Sequence, residues 1–230
     1  MNKLYTTDSS GIPITVLYTE NYGNWLLEQK ETTSKWLTAN HYEGKGHCTI
    51  PNSTGGMAGV IFGISKDCDF FIAGDLAVSL PPAQYQLDFE NLNLSDSQEV
   101  GEFETNFAIS WGLSCYKFER YKKSDKPLPI LALSSDGAID KACKFISAIY
   151  LVRNQVNTPA CDLMPEDISK QVDKLAAQFD GQVKHIVGDE LLTENYPTIH
   201  AVGRASCFPP RLIDLQWGNE HAPKVTLVGK

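Results

Sequence analysis

The chain has 230 residues, 20 Lys and Arg against 28 Asp and Glu, a formal charge of −8 and 42% hydrophobic residues. That apolar fraction excludes intrinsic disorder, and a chain this long buries about 70% of its unfolded surface, so it needs no disulfide or metal staple to fold. The acidic balance argues against phosphate-backbone binding, which needs clustered cations.

Taken in chain order, Ile12 to Leu17 reads as a first strand and Asn21 to Ala39 as one helix, with Trp25 and Trp36 three turns apart on a single face. His47 to Ile50 and Met57 to Ile64 flank Pro51-Asn52-Ser53-Thr54-Gly55-Gly56, the pattern of a β-hairpin. Its Gly-Gly pair precedes a strand rather than a helix, so it is not a phosphate loop. Phe70 to Ala73 and Val78 to Leu80 read as further strands. Glu99 to Tyr116 is a helix with Phe103, Phe107 and Trp111 as its core stripe. Its end runs into Lys117, Arg120, Tyr121-Lys122-Lys123 and Lys126, read as a solvated helix end.

Ile130 to Leu133 is a short strand, and Ser134, Ser135 and Asp136 offer caps for a helix from Gly137 to Gln155, long enough to join two domains. After Asn157-Thr158-Pro159 the pattern changes. Pro165 opens a helix with Glu166 and Asp167 in its positive first turn, and Asp180-Gly181 closes it. Val183 to Val187, Ile199 to Val202, Leu212 to Trp217 and Val225 to Val228 read as four strands. One helix cannot cover both faces of four strands, so the chain reads as the front of a longer protein, cut inside its second domain. The organisation expected is an α/β fold. Residues 1–136 form an N-terminal α/β domain with a mixed sheet, 137–157 a linking helix, and 158–230 the incomplete start of a larger α/β domain.

Chemistry is sparse. The six cysteines, at 48, 68, 115, 143, 161 and 207, form no Cys-x-x-Cys pair, which excludes a zinc ribbon and makes reduced cytosolic thiols the default. The five histidines, at 41, 47, 185, 200 and 221, include no His-x-x-x-His pair. No Gly-x-Ser-x-Gly elbow occurs. The N-terminal residues carry no apolar signal region, and no stretch approaches the ~20 apolar residues of a membrane span. Gly203-Arg204 and Gly229-Lys230 fall at the carboxyl ends of expected strands, where open α/β sheets place their ligand sites.

From Arg153 onward the sequence resembles the leucyl (cytosol) aminopeptidase family of two-metal peptidases. The resemblance is carried by Arg153 to Pro159, Asp162-Leu163-Met164-Pro165, Gly188 to Leu192, Ile199 to Ser206, Pro210 to Ile213 and Val225 to Lys230. Phe107 to Tyr121 is similar to a less specific segment of the family's N-terminal domain. The resemblance implies a small N-terminal α/β domain, a linking helix and a larger catalytic domain, assembled as cytoplasmic hexamers. It implies release of leucine-like N-terminal residues from peptides by two divalent ions, manganese or zinc, which hold a water against the scissile carbonyl. It makes Lys230 a metal ligand, which requires a neutral amine and hence a depressed pKa. Other ligands and catalytic residues are expected downstream of position 230, so these residues alone are expected to bind no metal and to be inactive. Arg204 and Ser206 match family positions without an assigned chemistry. The competing reading is a non-catalytic module that makes subunit contacts or binds nucleic acid; the charge of −8 weighs against the latter.

Overall fold

The computed structural model describes residues 4–67 and 71–229. The chain divides into two compact units, residues 1–154 and 155–230.

The first unit is built on a six-stranded sheet. Its strands are β1 (Tyr5–Thr6), β2 (Ile12–Tyr18), β3 (Gly46–Pro51), β4 (Met57–Ile64), β5 (Gln84–Asp88) and β6 (Ile130–Ala132), in the order β1-β6-β5-β2-β4-β3. All neighbours run parallel except β3, which pairs antiparallel with β4 as the hairpin pattern requires. Side chains alternate across the pleat. Ile14, Val16, Val60, Phe62 and Ile64 enter the larger core, while Leu17 and Ile61 enter a smaller one on the opposite face. The smaller core is closed by α1 (Tyr22–Leu27) and α2 (Glu31–Ala39) through Tyr22 and Leu37. The larger is closed by α3 (Leu76–Ser79), α4 (Ser97–Ser114) and α5 (Asp136–Asn157). Helices on both faces explain why β4 is buried almost end to end.

The stripe on α4 does what its spacing predicts. Phe103, Phe107 and Trp111 form a column with centroid separations of 6.0 and 6.5 Å, and Phe62 and Tyr85 meet it from the sheet. Asp96 caps α4 by accepting from the Gln98 and Glu99 amides. The buried Glu104 carboxylate accepts from both the Ser134 amide and its hydroxyl at 2.5 Å, tying the middle of α4 to the turn that starts α5. Gly63 is required by close approach: a Cβ there would run into the Gly44 carbonyl.

Several expectations are corrected. The single helix over 21–39 is two helices, because α1 stops at Glu28 and Lys30 is extended (φ −58°, ψ 144°). The Gln29 and Ser34 side chains satisfy the Trp25 and Leu26 carbonyls at the break. Trp25 therefore packs beside Tyr22, while Trp36 donates its indole N–H to the Thr49 carbonyl on the edge strand. Tyr42 likewise donates to the Gly46 carbonyl of that strand. Residues 71–73 form a turn and Leu76–Ser79 a helix in place of two expected strands; Phe70 lies outside the described residues. Runs this short carry no decisive period. The true strand there is β5, whose fully buried Tyr85 sits between two glutamines. The basic segment 117–126 is a loop beyond the helix, with Lys117 donating to the Ser124 hydroxyl and the Lys126 carbonyl.

In the second unit, α6 (Pro165–Phe179) begins at Pro165 as read, with the Asp167 carboxylate accepting from the Met164 amide. Asp180 itself takes the left-handed conformation, φ 55°, that ends the helix. β7 (Gln182–Val187) and β8 (Arg211–Gln216) pair antiparallel. Between them lie α7 (Glu190–Thr193) and α8 (Pro197–Gly203). The expected strand at 199–202 is thus helical: Pro197 presets the first turn, and this outweighs the β preference of Ile199 and Val202. The run Val225–Val228 has no regular structure and no ladder partner among the described residues, and Leu227 is 92% exposed.

Burial in the first unit sets an alkaline limit. Burial pushes the Tyr5, Tyr42 and Tyr150 phenols far above their ordinary value, raises Tyr85 and Tyr22, and lifts the Cys115 thiol to about 11. In the unfolded chain these groups ionise near their ordinary values, so above roughly pH 9–10 the unfolded state binds fewer protons than the native state. Stability must then fall with rising pH, by about 1.4 kcal/mol per pH unit for each fully withheld proton. An alkaline titration followed by absorbance and circular dichroism tests this. The phenolate absorbance of the buried set should appear only together with loss of the circular-dichroism signal.

Candidate functional site

Lys230, the one metal-ligand candidate of the sequence, lies outside the described residues. The segment leading to it, Val225 to Gly229, has no regular structure. Gly203-Arg204, expected at a strand end, instead closes α8, where the Arg204 amide donates to the His200 carbonyl. Ser206 serves the same turn: its amide donates to the Gly203 carbonyl and its hydroxyl accepts from the Phe208 amide. Both residues are exposed and structural in their contacts.

The segment between β7 and β8 is pinned at its base. Gly188, at φ 60°, donates its amide to the Pro210 carbonyl, and His200 Nε2 lies 3.1 Å from the Asp189 carboxylate. On the neighbouring strand His185 Nε2 lies 2.7 Å from Asp173 of α6, and Arg211 donates to the Ser169 hydroxyl of the same helix. The last two pairs tie α6 to β7 and β8, and the His200–Asp189 pair ties α8 to the turn that follows β7. In the first unit a concavity of about 440 Å³ is lined by His41, Glu43, Lys45, His47 and Cys48 among others. Burial lowers the pKa of His47 there and raises that of Cys48, so both favour their neutral forms.

No group of three His, Cys, Asp or Glu side chains among the described residues could hold a metal ion. The described residues therefore do not fit a two-metal centre, which needs several carboxylates to offset two dications. The exposed Cys161 and Cys207 and the buried Cys115 are free thiols.

What this scaffold belongs to follows from its relatives. A family model for the N-terminal domain of M17 aminopeptidases matches residues 12–134, and one for the catalytic domain of the cytosol aminopeptidase family matches residues 150–230. The chain belongs to the M17, or cytosol, aminopeptidase family. Among curated relatives, a probable cytosol aminopeptidase of Corynebacterium efficiens is 30% identical over 154 residues, covering 62% of this chain and 30% of the relative. Among solved structures, the cytosol aminopeptidase of Coxiella burnetii matches with a TM-score of 0.82 and 33% identity, over 96% of this chain and 47% of that one. The bottromycin maturation enzyme BotP, solved in complex with Mn, shares the fold at a TM-score of 0.69 and 19% identity, over 91% of this chain and 45% of its own. This member of the cytosol aminopeptidase family thus spans less than half the length of each of these three relatives. No helix among its described residues is long and apolar enough to cross a membrane.

Proposed function

We propose that these 230 residues form the N-terminal part of a metal-dependent aminopeptidase that releases leucine-like N-terminal residues from peptides by a two-metal mechanism. The observation that carries this reading is the succession of both family matches along one chain, N-terminal domain then catalytic domain. The superposition of 96% of the chain on one cytosol aminopeptidase supports it. In this reading residues 1–136 are the N-terminal domain, 137–157 the linking helix and 158–230 the start of the catalytic domain. Lys230 is a ligand of one of two divalent ions, manganese or zinc; the Mn complex of a protein of the same fold supports manganese. The remaining ligands and catalytic groups come from sequence beyond Lys230, the enzyme is a cytoplasmic hexamer, and the 230 residues alone hold no metal pair.

The test compares the full-length protein with the 230-residue chain on a leucine anilide and a leucyl peptide, with manganese or zinc added. The full-length protein should turn over both substrates, and the 230-residue chain neither above buffer. Metal-dependent turnover by the shorter chain would place a complete site within these residues and overturn the assignment. An inactive, folded full-length protein would overturn the activity itself.

A further inference from the structure

An α-helix ends with carbonyls that have no partner within it. α4 ends at Ser114, and its cap, Cys115, is right-handed, so no left-handed turn folds back over those groups. The Cys115 amide reaches the Trp111 and Gly112 carbonyls, and further donors come from α5. The Tyr150 hydroxyl donates to the Gly112 carbonyl at 2.5 Å, and the Arg153 guanidinium donates to the Leu113 carbonyl at 2.7 Å. Arg153 also places its positive charge at the negative end of the α4 dipole.

Tyr116, just beyond the cap, completes the contact. Its ring meets Tyr150 edge-on at 4.9 Å, lies 5.4 Å from the Arg153 guanidinium carbon, and its hydroxyl donates to the Asn154 side chain. Gly112 makes the approach possible: a Cβ there would strike both Ile146 and the Tyr5 hydroxyl. The very next residue is tied elsewhere. Gln155 donates to Gln171 of α6, within the second unit. α5 runs unbroken through this change, from Asp136 to Asn157.

We infer that Tyr150 and Arg153 are a latch that clamps the C-terminal turns of α5 onto the end of α4 and keeps those turns from fraying. With the latch closed, α5 moves with the first unit as far as Asn154. With it open, the helix is held by the fully buried Ala142 and Ile146 and by Ile149, which packs against the same core. The turns after Ile149 then keep few tertiary contacts, and most helical stability comes from such packing. The inference concerns mechanics and stands whether or not the proposed activity is right.

Hydrogen exchange of the full-length protein, read by mass spectrometry, tests it. In the wild type, peptides covering 147–154 should exchange as slowly as those of α4. The double variant Tyr150→Phe/Arg153→Ala should accelerate 147–154 roughly tenfold or more, with peptides of α4 and β4 within about twofold of wild type. Tyr150→Phe alone keeps the ring against Tyr116 and loses only the hydroxyl donor; about fivefold is expected, and this variant carries the test if the double variant does not fold. Unchanged exchange at 147–154 would overturn the latch. Equal acceleration in α4 and β4 would also overturn it, because the two side chains would then be ordinary parts of a single cooperative core.

Discussion

Replacing Lys230 by alanine in the full-length enzyme should abolish most of its peptidase activity while leaving the fold intact. Changes to residues that merely orient metal ligands typically cost 10–100-fold in affinity or activity. Loss of a direct ligand should exceed that range, so a fall of more than about 100-fold in kcat/KM is expected. A lysine amine binds metal only when neutral, so the ligand role also requires a pKa far below the ordinary lysine value, which adjacent dications impose. Lys230→Arg brings a guanidinium that stays protonated and offers no lone pair, and should be as inactive as the alanine variant. Circular dichroism and metal content per subunit separate the causes. The variants should melt like the wild type and bind less metal. Wild-type activity in Lys230→Ala would remove Lys230 from the metal centre.

The second large effect is on stability. Trp111 is fully buried between Phe107 and Tyr85, and its indole N–H has no acceptor among the described residues. Its contribution is therefore packing, without a hydrogen bond to lose. Trp111→Ala opens a cavity under the sheet and should cost about 3–5 kcal/mol, a large share of the ~5–15 kcal/mol by which domains are stable. For a unit of this size that lowers the melting temperature by roughly 10 °C. Trp111→Phe preserves the ring contacts and should cost less than half as much. Equal losses from both replacements would mean that the indole N–H matters, against the geometry. Hydrogen exchange should show the loss confined to residues 1–154, with α6, β7 and β8 unaffected.

How much of this could be read from the residues depended on whether local pattern and tertiary surroundings agreed. The hairpin over 46–64 and the α4 stripe were legible because the turn chemistry and the 3.6-residue period are local and strong. The α6 boundaries were legible for the same reason, since a proline at the first turn and an aspartate that tolerates a left-handed φ mark both ends. The short segments were not legible. Ile199 to Val202 is as apolar as a strand, yet the proline two residues before it decides for a helix. Tyr85 looks like an isolated aromatic between glutamines until β5 takes its place between β2 and β6 and the ring packs against Trp111. The break within 21–39 depends on side chains reaching back to two carbonyls, which no periodicity records. For the site, the family was visible in ordered short matches from Arg153 to Lys230. The geometry of the site was not, because its one named residue falls outside the described structure. The contacts of Tyr150 and Arg153 with the end of α4 were not legible, because they join residues some forty apart.

The edge of the six-stranded sheet has one further consequence. β3 is its antiparallel border, and the side chains of Trp36 and Tyr42 already occupy two of its carbonyls. The strand ends in a register shift at Pro51, a residue with no N–H to donate. The opposite border, β1, is only two residues long. A stray strand from a neighbouring molecule would find a short, partly occupied ladder on one side and almost none on the other. Such borders keep a hydrophobic sheet from growing by edge-to-edge addition, the route to fibrous aggregates at high protein concentration.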